Sequence, residues 1–200
     1  MKTRDKYSYF NKINKNDINS IGLMSGTSLD GLDIALIHTD ALSKTKFGNF
    51  NTYNYSNFIK DSIRGFIVDR KNVNIVNNLL MDFHAKCINS FMSEHNIKNK
   101  DLDIIGLHGH TIFHSPEERW TWQLGNGKSL ANLIKIPVIS NFRYRDICFG
   151  GQGAPLVAIW HKALLGDMES SMFPCVFLNI GGVSNITYLE NKNDIPYSFD

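Results

Sequence analysis

Two glycines, two hydroxyls and a carboxylate crowd into six positions at Gly26-Thr27-Ser28-Leu29-Asp30-Gly31. Glycine lets backbone N–H groups approach an anion closely, and hydroxyls add donors, so phosphate binding is one chemistry this stretch could perform. The same residues also make an ordinary tight turn. The spacing is neither that of a Walker A loop nor that of a dinucleotide fingerprint. A second turn of similar make, Asn179-Ile180-Gly181-Gly182, lies far along the chain. Two such turns facing each other across a cleft would hold one polyphosphate from both sides.

Three further clusters carry chemistry. His108, His110 and His114 fall within GLHGHTIFHSP, and on an extended backbone His108 and His110 share a face. Zinc would need a fourth ligand and no cysteine is near, so no metal site is assigned. Donation to a polar ligand and a structural histidine network both fit. Asn141-Phe142-Arg143-Tyr144-Arg145-Asp146 follows a short strand, and open α/β sheets bind ligands at strand carboxyl ends. There Arg143 and Arg145 could clamp a carboxylate while Asp146 orients one of them; a surface salt bridge is the plainer alternative. Gly150, Gly151 and Gly153 precede an expected helix, which suggests close backbone contact or anion binding at its N-terminus. Trp120 and Trp122 alternate on a strand and are read as pointing to different sides, for sheet packing or for stacking on a sugar.

The elements that must position these groups follow from periodicity. Ile21–Met24 and Leu32–His38 flank the first turn and make a hairpin. Residues 46–56, with spaced aromatics, read as a third antiparallel strand. Val73, Val76, Leu80, Phe83, Cys87, Ile88 and Phe91 form one apolar stripe on a helix from Asn72 to Asn96. Short strands are expected at 103–107, 120–124 and 137–140, and helices at 128–134 and 154–165, the last ended by Gly166. Cys175–Ile180 and Ser184–Leu189 form a second strand–glycine turn–strand unit. The order implies an α/β fold with a mixed sheet and helices packed on it. The repeated hairpin suggests a duplication: a polar leader at 1–19, a first domain at 20–171, and the start of a second, truncated domain at 172–200. On this reading the chain is the amino-terminal portion of a two-domain protein.

Composition bounds the class. The chain has 200 residues, 42% hydrophobic and 20% charged, which excludes a disordered or fibrous protein. A net charge of +2 without a basic stripe gives no reason to expect nucleic acid. No apolar run approaches the roughly 18 residues of a membrane span. The charged start has no apolar core of a secretory signal. Three cysteines without a C-x-x-C spacing read as free thiols in a cytoplasmic protein, with no intramolecular disulfide.

GLMSGTSLDGLD, LHGHTIFH, NFRYRD, GGQGAPLV and NIGGVSNIT occur in this order, and from about residue 20 to 200 the chain resembles the anhydro-N-acetylmuramic acid kinases. These belong to the sugar kinase/Hsp70/actin-like superfamily, so the resemblance implies an actin-like ATPase (ribonuclease H-like) domain plus the first hairpin of a second similar domain. It implies an enzyme using ATP, magnesium and water to open a 1,6-anhydro ring and phosphorylate O6. The product would be N-acetylmuramic acid 6-phosphate, in peptidoglycan recycling. Gly26, Thr27, Ser28, Leu29, Asp30, Gly31, Leu32 and Asp33 match the family's ATP-phosphate loop. Asp200 matches its general base, which the family follows with T-G-P-G-N. Thr111, Arg143 and Gln152 are the candidate sugar contacts. The implied partner is the small anhydro-sugar, with no nucleic acid or membrane, and a homodimer for the full-length protein. Two positions depart from the family pattern: His110 stands where H-G-Q-T is usual, and Asn141 where an aspartate precedes F-R. His110 can still donate a hydrogen bond; Asn141 cannot supply a charge. A sugar kinase acting on an ordinary hydroxyl, and an inactive nucleotide-binding fragment, are the alternatives.

Overall fold

A computed structural model describes residues 17–41, 44–165, 169–180 and 184–199. Most of the polar leader, Gly166, the Gly181-Gly182 turn and Asp200 lie outside the described residues, and with them the expectation that the two glycine turns face each other.

The main sheet is mixed. β1 (Ile18–Ser25), β2 (Gly31–Thr39) and β3 (Thr45–Asn54) form an antiparallel meander, and β1 is flanked on its other side by β4 (Ile104–Ser115). β5 (Trp120–Leu124) pairs antiparallel with the far part of β4, and β6 (Val138–Ser140) pairs parallel with its beginning, Ile105 opposite Val138. β7 (Cys175–Asn179), β8 (Asn185–Leu189) and β9 (Tyr197–Phe199) make a separate antiparallel sheet. By internal contacts the chain groups into two compact units. Of the described residues, one holds 17–25, those between 29 and 109, and 125–140; the other holds 26–28, 110–124 and those between 141 and 199.

In the first unit the strands alternate as their sequences demand. Ile21, Leu23 and Ser25 of β1 and Leu32, Ile34 and Leu36 of β2 point inward. α1 (Asn57–Asp69) buries Ile59, Ile63 and Phe66, one stripe at four- and three-residue steps. Ser56 caps its start by accepting from the Ile59 N–H. No helix is expected here from the sequence reading, although the stripe was present in it. Only three residues join α1 to α2 (Val73–Glu94), and Arg70 and Asn72 take left-handed φ values of 57° and 60° to reverse the chain. α2 buries Val76, Leu80, Cys87, Ile88 and Phe91 of the stripe named above, leaves Val73 and Phe83 half-buried, and adds a buried His84. α3 (Gly127–Ile134) is capped by the Asn126 side chain, which accepts from the Ser129 N–H. Gly127 allows the close passage of Ser140, whose Oγ a Cβ would meet at 2.5 Å.

In the second unit β4 continues straight through the histidine motif to Ser115, well past the short strand expected at 103–107. α4 (Phe142–Cys148) carries the arginine motif; the sequence reading expected no helix there. Asn141 sits at φ 62°, and its carbonyl accepts from the Arg145 N–H. Asparagine, like aspartate, is among the few non-glycine residues that tolerate that conformation, so the departure from aspartate leaves the backbone unstrained. α5 (Ala158–Leu165) starts four residues later than expected. Gly153 at φ 71° and Pro155, which has no N–H to donate, keep the preceding segment out of the helix. The glycines therefore form a loop of their own and do not lead directly into a helix N-terminus.

One face of the β7–β9 sheet meets α5: the His161 ring stacks on Phe177 at 4.1 Å and its Nδ1 lies 2.9 Å from the Thr187 hydroxyl. The other face presents Val176, Leu178, Tyr197 and Phe199, each more than half exposed. Among the described residues no helix is long and apolar enough to cross a membrane.

Two expected outcomes follow. Leu80→Ala should cost about 2–5 kcal/mol, because the site is fully buried and flanked by rigid elements, and chemical denaturation would measure it. Burial lowers the His161 pKa below its ordinary 6.5, so folding holds the ring neutral. The unfolded chain then binds the proton more readily. The stability of this unit should be complete above about pH 6.5 and fall as pH drops below it, and His161→Gln should flatten that fall in urea titrations between pH 8 and 5.

Candidate functional site

β1 ends at Ser25 and β2 begins at Gly31, which leaves a five-residue turn, 26–30, at the hairpin tip. Thr27, Ser28 and Asp30 are exposed, so their oxygens face solvent. Leu29 does the opposite: it is buried and holds φ 59°, turning its side chain inward as an anchor while its neighbours stay outside. Gly31 is required by contact. A Cβ there would lie 2.3 Å from the Tyr53 carbonyl oxygen, a backbone atom that cannot move without breaking the β2–β3 ladder. Leu32 is fully buried behind the turn, and Asp33 is exposed, accepting a 2.6 Å bond from the Thr52 hydroxyl. The turn is thus a small-residue tip on a rigid base. Its exposed hydroxyls suit an anion.

Beneath its base lies a buried polar cluster that sequence reasoning missed. The Tyr55 hydroxyl donates to Ser25 Oγ at 2.8 Å and lies 3.3 Å from His84 Nε2. Burial pushes the Tyr55 phenol up to about 12. The Tyr55 backbone N–H donates to the Asp30 carbonyl at 3.0 Å. The only sequence signal was a histidine on the apolar stripe of α2, since Tyr55 and Ser25 are 30 positions apart.

A second group of polar residues belongs to the other unit. Arg143 Nη1 donates to the Gly153 carbonyl at 2.6 Å, and Asp146 Oδ2 accepts from the Gly153 N–H at 2.7 Å. Both side chains hold the same glycine. A Cβ on Gly151 would fall 2.1 Å from Asp146 Oδ2, so the loop closes around the carboxylate. Asp146 therefore orients backbone; no bond from it to Arg145 was found among the described residues, and the Arg145 guanidinium lies over the Phe149 ring at 5.2 Å. Gln152 is exposed at the loop's rim. On the β4–β5 hairpin, Gln123 Nε2 donates to Thr121 Oγ1 at 2.7 Å and reaches Thr111 Oγ1 at 3.5 Å, while His114 Nδ1 lies 3.0 Å from Thr121 Oγ1. His110 is buried, and His108 Nδ1 lies 2.7 Å from the Gly109 carbonyl. The histidine motif lies on a strand, and the bonds of His108 and His114 go to the Gly109 carbonyl and to Thr121. Among the described residues no group of three or more His, Cys, Asp or Glu is arranged to hold a metal ion.

The tryptophans correct the sequence reading. Residues two apart on a strand share a face, and Trp120 and Trp122 stack at 6.4 Å with Phe113 at 4.5 Å from Trp120. All three cysteines are free, with Cys87 buried in α2 and its thiol pushed up to about 12 by burial.

Comparison with known proteins adds a family likeness. The profile of the anhydro-N-acetylmuramic acid kinases matches residues 18–200. A kinase of that name from Paramagnetospirillum magneticum is 40% identical over 176 residues, covering 88% of this chain and 49% of the relative. Those from Nitrobacter winogradskyi and Zymomonas mobilis are each 38% identical, covering 88% of this chain and 50% and 51% of themselves. The chain thus spans about half the length of the curated relatives it matches. Among solved structures, YeaZ from Pseudomonas aeruginosa aligns over 92% of this chain and 65% of its own, at 9% identity and a TM-score of 0.29, too slight a likeness to assign a fold.

If Asp146 holds the glycine loop through the Gly153 N–H, Asp146→Ala should lower stability by about 1 kcal/mol, and Gly151→Ala should cost at least as much. Thermal denaturation of the two variants would measure both.

Proposed function

Because the chain belongs to the anhydro-N-acetylmuramic acid kinase family, we propose that it forms the phosphate-binding half of an ATP-dependent sugar kinase that opens 1,6-anhydro-N-acetylmuramic acid and phosphorylates O6. The observation that carries the reading is the hairpin tip, where a rigid strand pair presents Thr27, Ser28 and the 26–31 backbone within the family's matched region. Phosphoryl transfer asks the protein for positioning and charge stabilisation more than for covalent chemistry. Gly26, Thr27, Ser28 and Gly31 bind the ATP phosphates through hydroxyls and amides. Leu29 and Leu32 anchor the loop from behind.

The residues present fit a magnesium ion held through water. Asp30 and Asp33 each expose one carboxylate, and magnesium retains several waters and takes only one or two carboxylates besides phosphate oxygens. When bound, the ion neutralises charge on the phosphates.

Asp200 takes a proton from the water that attacks the anomeric carbon. The bond from that carbon to O6 breaks, its electron pair goes to O6, and O6 bonds the γ-phosphorus as the bridging bond to ADP breaks. ADP and N-acetylmuramic acid 6-phosphate leave. Thr111, Arg143 and Gln152 contact the sugar, Arg143 being suited by charge to its lactyl carboxylate.

The test is ADP release with anhydro-N-acetylmuramic acid and with the reducing sugar, at the length of the relatives. Turnover should require the anhydro form, and oxygen-18 from water should appear on carbon 1 and not in the phosphate. Asp200→Asn should lower the rate by about two to four orders of magnitude. Residues 1–200 alone should turn over at least about a hundredfold more slowly, since a misplaced base is enough for such a loss. Equal use of the reducing sugar would point to a kinase for an ordinary hydroxyl.

A further inference from the structure

Resting on the reading of 26–31 as a phosphate loop, we propose that Tyr55 is the positioning residue of that loop, because it holds both ends of the turn at once. Its backbone N–H bonds the Asp30 carbonyl, at the end where β2 begins. Its hydroxyl bonds Ser25 Oγ, at the end where β1 stops. The span between the two ends is therefore set by one side chain with a stiff ring.

Tyr55 is itself held. It lies between the last residue of β3 and Ser56, the cap of α1, so two elements fix its backbone. Phe83 of α2 packs on its ring at 5.1 Å. His84, the next residue, brings Nε2 to 3.3 Å from the phenol oxygen. With the phenol proton directed to Ser25, a hydrogen bond between that oxygen and His84 requires Nε2 to carry the proton. Ser25, Tyr55 and His84 are all almost wholly buried. A hydroxyl in such a place costs free energy unless it is bonded, and phenylalanine would fill the same space without that cost. The phenol is retained where its bond goes to the residue that immediately precedes the loop. The high pKa keeps it protonated, and hence a donor, at any ordinary pH. Fixing the loop's ends before the ligand arrives removes part of the ordering cost of binding.

Tyr55→Phe preserves the ring and the Asp30 bond and removes only the hydroxyl; Ser25→Ala removes the acceptor from the other side. Binding of magnesium tripolyphosphate to the 200-residue chain and amide hydrogen exchange at 26–31 are the readouts. Each variant should weaken tripolyphosphate binding by about three- to tenfold, the value of one lost hydrogen bond. The double variant should be no weaker than the worse single one. Exchange at 26–31 should quicken while that of α2 does not change. Wild-type binding by Tyr55→Phe, additive losses in the double variant, or unchanged exchange at the turn would overturn the proposal. If the unaltered chain fails to bind tripolyphosphate, the phosphate-loop reading falls and takes this proposal with it. That result is distinct from a binding chain indifferent to Tyr55→Phe, which sinks the clamp alone.

Discussion

The pairing of β1 with β2 is the interaction on which the rest depends. Seven consecutive residue pairs, from Ile18 opposite Thr39 to Met24 opposite Asp33, fix the register of the hairpin. A slip of one residue would turn Ile21, Leu23, Leu32 and Ile34 out of the core. The same register decides which residues become the tip. Gly31 then meets Tyr53 of β3 too closely for any side chain, so the third strand locks the second just where the turn ends. Core burial and loop placement are one constraint here.

The second unit uses a different device. No strand ladder holds the Gly150–Gly153 loop. Two side chains of α4 do, by taking the N–H and the carbonyl of Gly153. Such a loop keeps a defined shape without a side chain of its own filling it, which leaves the rim residue Gln152 exposed. Arg143 thereby spends one of its donors on structure. The guanidinium is oriented by the backbone, so an anion that met it would cost less freedom.

The two departures from the family pattern have separate physical settings. Asn141 occupies a left-handed position at the start of α4, and its carbonyl takes up the first helical bond. His110 is buried on β4, opposite Leu124 of β5. The first sits in a backbone conformation that asparagine and aspartate both tolerate; the second is an imidazole enclosed on a strand.

Local pattern by itself determined the hairpins, the long apolar stripe of α2, the mixed α/β order and the small-residue tip, because each depends on neighbours within a few positions. The stripe of α1, Ile59-Ile63-Phe66, is equally local and legible in the four- and three-residue steps of its apolar residues. The shared face of Trp120 and Trp122 was legible too, from the two-residue period of a strand. What only the tertiary structure decided is what joins distant residues. Tyr55 reaches Ser25 and His84 across separations of 30 and 29, and Arg143 and Asp146 converge on Gly153. Those contacts depend on sheet register, helix rotation and the direction of each side chain. A turn composed of glycine, threonine, serine and aspartate reads the same whether its ends are tethered or loose. The tether is a hydroxyl buried in the core, and burial is set by the packing of β3, α1 and α2 together, which no single segment encodes.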